Sequence, residues 1–166
     1  MNTLSRLCKH WFTTSAAGRK VFPAATLKAI ETAIAEGEQL HRAEVRLIVE
    51  PALPTHMVLQ HLTSRQRAVE LFSHYRIWDT EENCGVLLYI NLADHKVEIV
   101  ADRAVGRLVS RGDWHSVCQT MTHGFARGAY HDSVVDALAQ LNALLKAQMP
   151  ADGGRANQLS NKPVML

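Results

Sequence analysis

A chain of 166 residues, 47% of them hydrophobic, can bury one sizeable core, so a single domain is expected. Its 18 Lys and Arg against 16 Asp and Glu leave a formal charge of +2, and with no basic run this argues against a nucleic-acid footprint. Cys8, Cys84 and Cys118 are too far apart for a disulfide framework or zinc knuckle, and no stretch approaches the roughly 20 apolar residues of a membrane span.

The N-terminal MNTLSRLCKHWFTT lacks the apolar region of a signal peptide. With reduced cysteines, that predicts a soluble cytoplasmic protein without a transmembrane segment. Leu4, Leu7, Cys8 and Trp11 share one face of a short first helix, which is expected to pack against the domain rather than touch a membrane. A Thr/Ser/Ala/Gly stretch, 13–18, follows. Pro23 then opens a helix to about His41, with Leu27, Ile30 and Ile34 on one face. Glu44–Glu50 alternates Val45, Leu47 and Val49 with Glu44, Arg46, Ile48 and Glu50, a strand with one wetter face, and Pro51 and Pro54 end it.

Helices are predicted at about 55–61 and 64–76. The second starts with Thr63 and Gln66 at capping-box spacing and buries Ala68, Leu71, Phe72 and Tyr75. Two apolar runs, Gly85–Asn91 and Lys96–Ala101, flank the turn-forming Leu92-Ala93-Asp94-His95 and read as an antiparallel hairpin. Two amphipathic helices, 113–127 and 132–148, follow. The sequence after Pro150 carries no periodicity and reads as a disordered tail. The predicted organisation is an N-terminal helix and linker (1–21), a domain (22–149) and a tail (150–166). The element order predicts an α/β fold, a three-layer α/β/α sandwich with a small mixed sheet of three to four strands.

The hairpin has a chemical consequence. The start of its first strand lies beside the end of its second, so Asp79, Glu81, Glu82 and Asn83 should approach Asp102 and Arg103 at one sheet end. Oxygen ligands beside a guanidinium are what a hard cation or a phosphate ester needs. The helices between Glu50 and Gly85 are long enough for a crossover, which would make the first strand parallel to the second. His41 and Glu44 would then point to the same end; in an antiparallel arrangement Glu50 would replace Glu44.

Other motifs carry less. Arg65 and Arg67 are candidate phosphate contacts, though i, i+2 neighbours cannot both face one site. His115, Cys118 and His123 suggest a soft-metal site, against which Cys118 falls on an apolar stripe. His56 and His61 lack zinc-ligand spacing. Trp11, Trp78 and Trp114 read as core or edge anchors. Walker, Rossmann, nucleophile-elbow and zincin motifs are absent.

Thr63-Ser64-Arg65-Gln66-Arg67-Ala68, Glu70-Leu71-Phe72, Trp78-Asp79-Thr80-Glu81 and Asn83-Cys84-Gly85-Val86-Leu87-Leu88 occur in that order. Val97-Glu98-Ile99-Val100-Ala101-Asp102-Arg103, Trp114, Phe125 and Gly128-Ala129-Tyr130 continue the series. From Phe22 to Met149 this pattern resembles the TPM domain, a family with thylakoid-lumen members linked to photosystem II repair and membrane-anchored bacterial members. The resemblance implies an α/β/α sandwich, divalent-cation binding (Ca2+ or Mg2+) and a weak acid-phosphatase activity. It also implies a non-catalytic alternative, assistance to a protein partner or a membrane-associated complex. The family's acidic cluster falls on Asp79, Asn83, Asp102 and Arg103. As a phosphatase, Asp79, Asp102 and Arg103 would be the catalytic set, with a cation held by Asp79, Glu81, Glu82, Asn83, Asp102 and Glu44. Two positions depart from the family pattern: Ala104 and Ser133 stand where glycine is common, and the first is expected to stiffen the loop beyond the second hairpin strand.

Overall fold

A computed structural model describes residues 3–153 and 156–166. Helices α1 (Thr3–Phe12), α2 (Ser15–Val21) and α3 (Ala24–Glu38) precede strand β1 (Glu44–Glu50). Helices α4 (Thr55–Leu59) and α5 (Ser64–His74) lead into the hairpin strands β2 (Gly85–Asn91) and β3 (Lys96–Ala101). Helices α6 (Arg103–Leu108), α7 (Arg111–Ala126) and α8 (Tyr130–Gln148) follow, and the short strand β4 (Val164–Met165) closes the chain.

The strands form one mixed sheet in the order β3-β2-β1-β4. β1 runs parallel to β2, with Glu44 opposite Gly85 and Glu50 opposite Asn91. β2 and β3 are antiparallel, with Val86 opposite Ala101. The starts of β1 and β2 and the end of β3 therefore share one sheet end, and Glu44, not Glu50, belongs to it.

Alternation divides the side chains between two cores. Val45, Leu47, Val49, Val86, Leu88 and Ile90 pack beneath α3, α7 and α8 with Ile30, Ile34, Val117, Met121, Leu138 and Leu141. On the other face Ile48, Leu87, Tyr89 and Val100 meet Ala68 and Leu71 of α5. These are the three layers expected. The second face of β1 is not wet, because α5 and the C-terminal segment cover it; Glu50 is buried there against an arginine.

Three close approaches fix the layers. A Cβ on Gly85 would lie 1.9 Å from the carbonyl oxygen of Ile77, so only glycine lets β2 start there. One on Gly124 would lie 2.1 Å from the Cβ of Ser133, where α7 and α8 cross. Asn142 fills the space above Gly37 and donates to the Ala33 carbonyl, tying α8 to α3.

Four expectations need correction. The tail is not disordered where described: Val164 and Met165 pair with Ile48 and Val49, and Leu166 N–H donates to the Val49 carbonyl. Its order comes from the open edge of β1, which no periodicity in the tail itself announces. Helix α1 docks with its polar side. Arg6 donates two hydrogen bonds to Asp94, at 3.0 and 2.7 Å, while buried His10 lies 3.1 Å from Asp94 and accepts from the Leu53 N–H. Leu4, Cys8 and Trp11 face outward instead. Part of the stretch read as a linker forms α2, capped by Thr14. Finally, Ala104 stiffens no loop, because it sits in the first turn of α6 and donates to the Asn83 carbonyl.

Candidate functional site

The sheet end is built by a backbone turn, local hydrogen bonds and a helix cap. Asn83, at φ 53°, turns the chain into β2. Thr80 Oγ1 accepts from the Cys84 N–H, and the Asp102 N–H reaches the Gly85 carbonyl. Asp102 is the N-cap of α6, its Oδ1 2.7 Å from the Arg103 N–H. Its second oxygen, Oδ2, is buried without a hydrogen-bond partner.

The predicted acidic residues reach this end, but most of their carboxylates have separate partners. Asp79 pairs with Arg76 in the turn after α5. Glu82 pairs with Arg42 at 3.1 Å. Glu81 contributes its N–H to the side chain of Gln158. Glu44 is buried, and its Oε2 accepts from the N–H groups of Gln158 and Leu159 at 3.2 and 2.9 Å. Arg103 is exposed at the start of α6. Backbone bonds join the segments of Asn83 and Asp102, whereas no hydrogen bond or ion pair links Asp79 to Asp102 or Arg103. Among the described residues, no three His, Cys, Asp or Glu side chains converge on one point.

Arg67 and Arg65 lie elsewhere. Arg67 clamps Glu50 at the opposite sheet end, where Tyr89 Oη donates to the same carboxylate at 2.6 Å. The Glu50 hydrogen bond raises the Arg67 guanidinium, and burial beside Glu50 pushes the Tyr89 phenol far up. Arg65 donates to the Ile99 carbonyl on β3 and lies near Glu98. Burial lifts the Cys118 thiol to about 11, which makes it a poor metal ligand.

A cleft of about 520 Å³ opens beside the start of β1, lined by Glu38, His41, Arg42, Glu44, Asn157 and Asn161 among others. Two of its lining residues are carboxylates close enough for the charge of one to act on the other. Glu38, at the end of α3, accepts from the Val45 N–H through Oε1 at 2.9 Å. Burial raises its carboxyl to about 7; the Glu44 charge adds to the rise, and the Val45 N–H and Asn161 oppose it. Burial also raises Glu44, against the pull of the Leu159 and Gln158 amides. His41 is a structural wall: Ala43 O and Asn142 Oδ1 bracket its ring, and burial lowers its pKa.

Glu38 is the residue missing from the sequence reading, and one signal pointed to it. A carboxylate in the last turn of a helix opposes the macrodipole, so its presence there is unfavourable unless something else uses it.

A family model described as the TPM domain matches residues 17–144. Among solved structures, the chain is similar to the NMR structure of BA42 protein from the psychrophilic bacterium Bizionia argentinensis, at 22% identity and a TM-score of 0.75. That likeness covers 86% of this chain and 93% of the other and bears on the fold alone. No curated protein matches the chain.

Proposed function

The chain belongs to the TPM domain family, and from that premise we propose that it is a non-catalytic binding module that takes a divalent cation at the sheet end. The observation that carries this reading is the Glu38–Glu44 pair, two carboxyl groups turned toward one open cleft, one held near neutrality by burial and its neighbour's charge. A hard cation with oxygen ligands relieves that repulsion. Glu38 and Glu44 would hold it, with the amide oxygens of Asn157 and Asn161 as further oxygen donors from the cleft wall. The cation would join α3, β1 and the C-terminal segment into one surface for a protein partner or a membrane-associated complex.

Titration of the labelled chain with Ca2+ or Mg2+, followed by amide NMR, tests the reading. Signals of residues 35–45 and 157–161 should shift with one midpoint. Affinity should rise as the pH passes 7 and Glu38 loses its proton. The shifts should vanish in Glu38→Gln/Glu44→Gln. Silence in both segments sinks the reading, as would shifts confined to Asp79–Asn83 and Asp102–Arg103.

A second reading, low metal-assisted phosphomonoester hydrolysis, is favoured by the unpartnered Asp102 Oδ2 beside exposed Arg103. There Asp79 and Asp102 would hold a cation and Arg103 would steady the phosphate charge. Hydrolysis of p-nitrophenyl phosphate that disappears in Asp102→Asn, with the fold intact, would favour it over the module. Equal rates in both proteins would remove it.

A further inference from the structure

Helix α1 is amphipathic, and it is docked in the sense opposite to that of an ordinary surface helix. Its polar side faces the domain, where Arg6 and His10 meet Asp94. Its apolar side faces out, with Leu4 68%, Trp11 64% and Phe12 82% exposed, and Cys8 exposed among them. At 3.6 residues per turn these four fall within about 100° of the helix circumference. A hydrogen bond from Trp11 Nε1 to Thr55 Oγ1 of α4 holds the indole at 3.1 Å. The adjoining α4, against which α1 packs, presents Leu59, which is also exposed.

Charge selects the occupant. The first 30 residues carry Arg6, Lys9, Arg19, Lys20 and Lys28 and no Asp or Glu. Asp94 neutralises Arg6 on the inner side, while Lys9, Arg19 and Lys20 are exposed on α1 and α2. A second copy seated on this face would bring two cationic segments together, which is unfavourable. A surface with an apolar interior and anionic headgroups matches both features, since Trp and Phe settle at the headgroup boundary and Lys and Arg meet the phosphates. We infer that α1 is an interfacial helix that lays Leu4, Cys8, Trp11 and Phe12 onto an anionic lipid surface, holding the domain peripheral to it. The inference does not depend on the cleft at the sheet end.

The full chain should co-sediment with phosphatidylglycerol-rich vesicles, poorly with pure phosphatidylcholine, and less in high salt. Leu4→Gln/Trp11→Gln/Phe12→Ser, at positions outside both cores, should weaken partition by about tenfold or more, with an unchanged circular-dichroism melt. Quenching of tryptophan fluorescence by brominated lipid should be strong in the unmodified chain and largely lost in Trp11→Phe, which still binds. That second measurement holds even if the triple variant unfolds. Absence of binding to anionic vesicles, equal partition of a folded triple variant, or quenching unchanged in Trp11→Phe would overturn the inference. So would concentration-dependent dimerisation that the triple variant abolishes, which would assign the face to a second copy.

Discussion

Glu38 ends α3 with a negative charge at the helix's own negative pole, and its carboxyl lies well above the range of an unfolded chain. The folded state therefore binds a proton that the unfolded state releases between about pH 4.5 and 7. Stability falls as pH rises through that window, because ionising Glu38 costs free energy only in the folded protein. Glu38→Gln keeps an oxygen for the Val45 N–H and removes the charge. Urea denaturation across pH 5–8 should show a decline in the parent that is flattened in the variant, with a gain on the order of 2 kcal/mol at the alkaline end. A saturating divalent cation should flatten the parent's profile in the same way.

At the scale of elements, Asp94 decides where α1 goes. Burial alone would raise its carboxyl, but hydrogen bonds from His10 and Arg6, with the Arg6 charge, hold it far below the usual carboxylate range. Ser64, the first residue of α5, lies 3.4 Å from the same carboxylate. A depressed folded pKa gives stability that is fully present above the unfolded value near 3.8 and is lost progressively as the pH falls below it toward the much lower folded value. Asp94→Asn leaves Arg6 largely buried without its counter-charge and should destabilise the protein by about 3 kcal/mol. Hydrogen exchange should show lost protection in α1 while β1 and β2 stay protected; uniform loss would mean that α1 is no separate unit. The sequence made the hairpin legible to the residue, because β-branched runs and turn residues are local signals. It hid the docking of α1, since a stripe of Leu4, Leu7, Cys8 and Trp11 looks the same whether it faces a core or a solvent boundary. Helix α6 was hidden by its six residues, although Asp102 stood in cap position ahead of it.

Across the whole molecule, one sheet end carries open chemistry and the other is closed. The Glu50, Arg67, Tyr89 and Asn91 network is saturated by mutual hydrogen bonds. The Glu44 end borrows two amides from residues far along the chain. That borrowing cannot be read from local pattern, which is why a parallel β1 brings His41 and Glu44 to this end from sequence alone while Glu38, Asn157 and Asn161 stay hidden. Asp79 and Asp102 were brought to one end by the hairpin, but their side chains turned to nearer partners, Arg76 and the α6 backbone. Deleting residues 157–166 should strip β1 of its edge partner and Glu44 of both amides, and uncover Ile48. The expected outcome is a loss of about 3 kcal/mol or more in thermal or urea melts, with light scattering reporting association through the bare edge. A truncated chain that melts like the parent and stays monomeric would refute this role.

The mooring of α1 also sets an order of events. Asp94 sits in the hairpin turn, and Arg6 meets the Leu62 carbonyl 56 positions downstream but must wait for a residue 88 positions downstream before its charge is paired. The segment that leaves the ribosome early can meet Leu53 and Thr55 soon after they emerge, yet its charged mooring closes late, after the turn exists and α5 has delivered Ser64 beside it. During synthesis, then, the greasy outer stripe is offered to the surroundings on an untethered strand of chain, and whatever it first meets has the opportunity to hold it before the domain does.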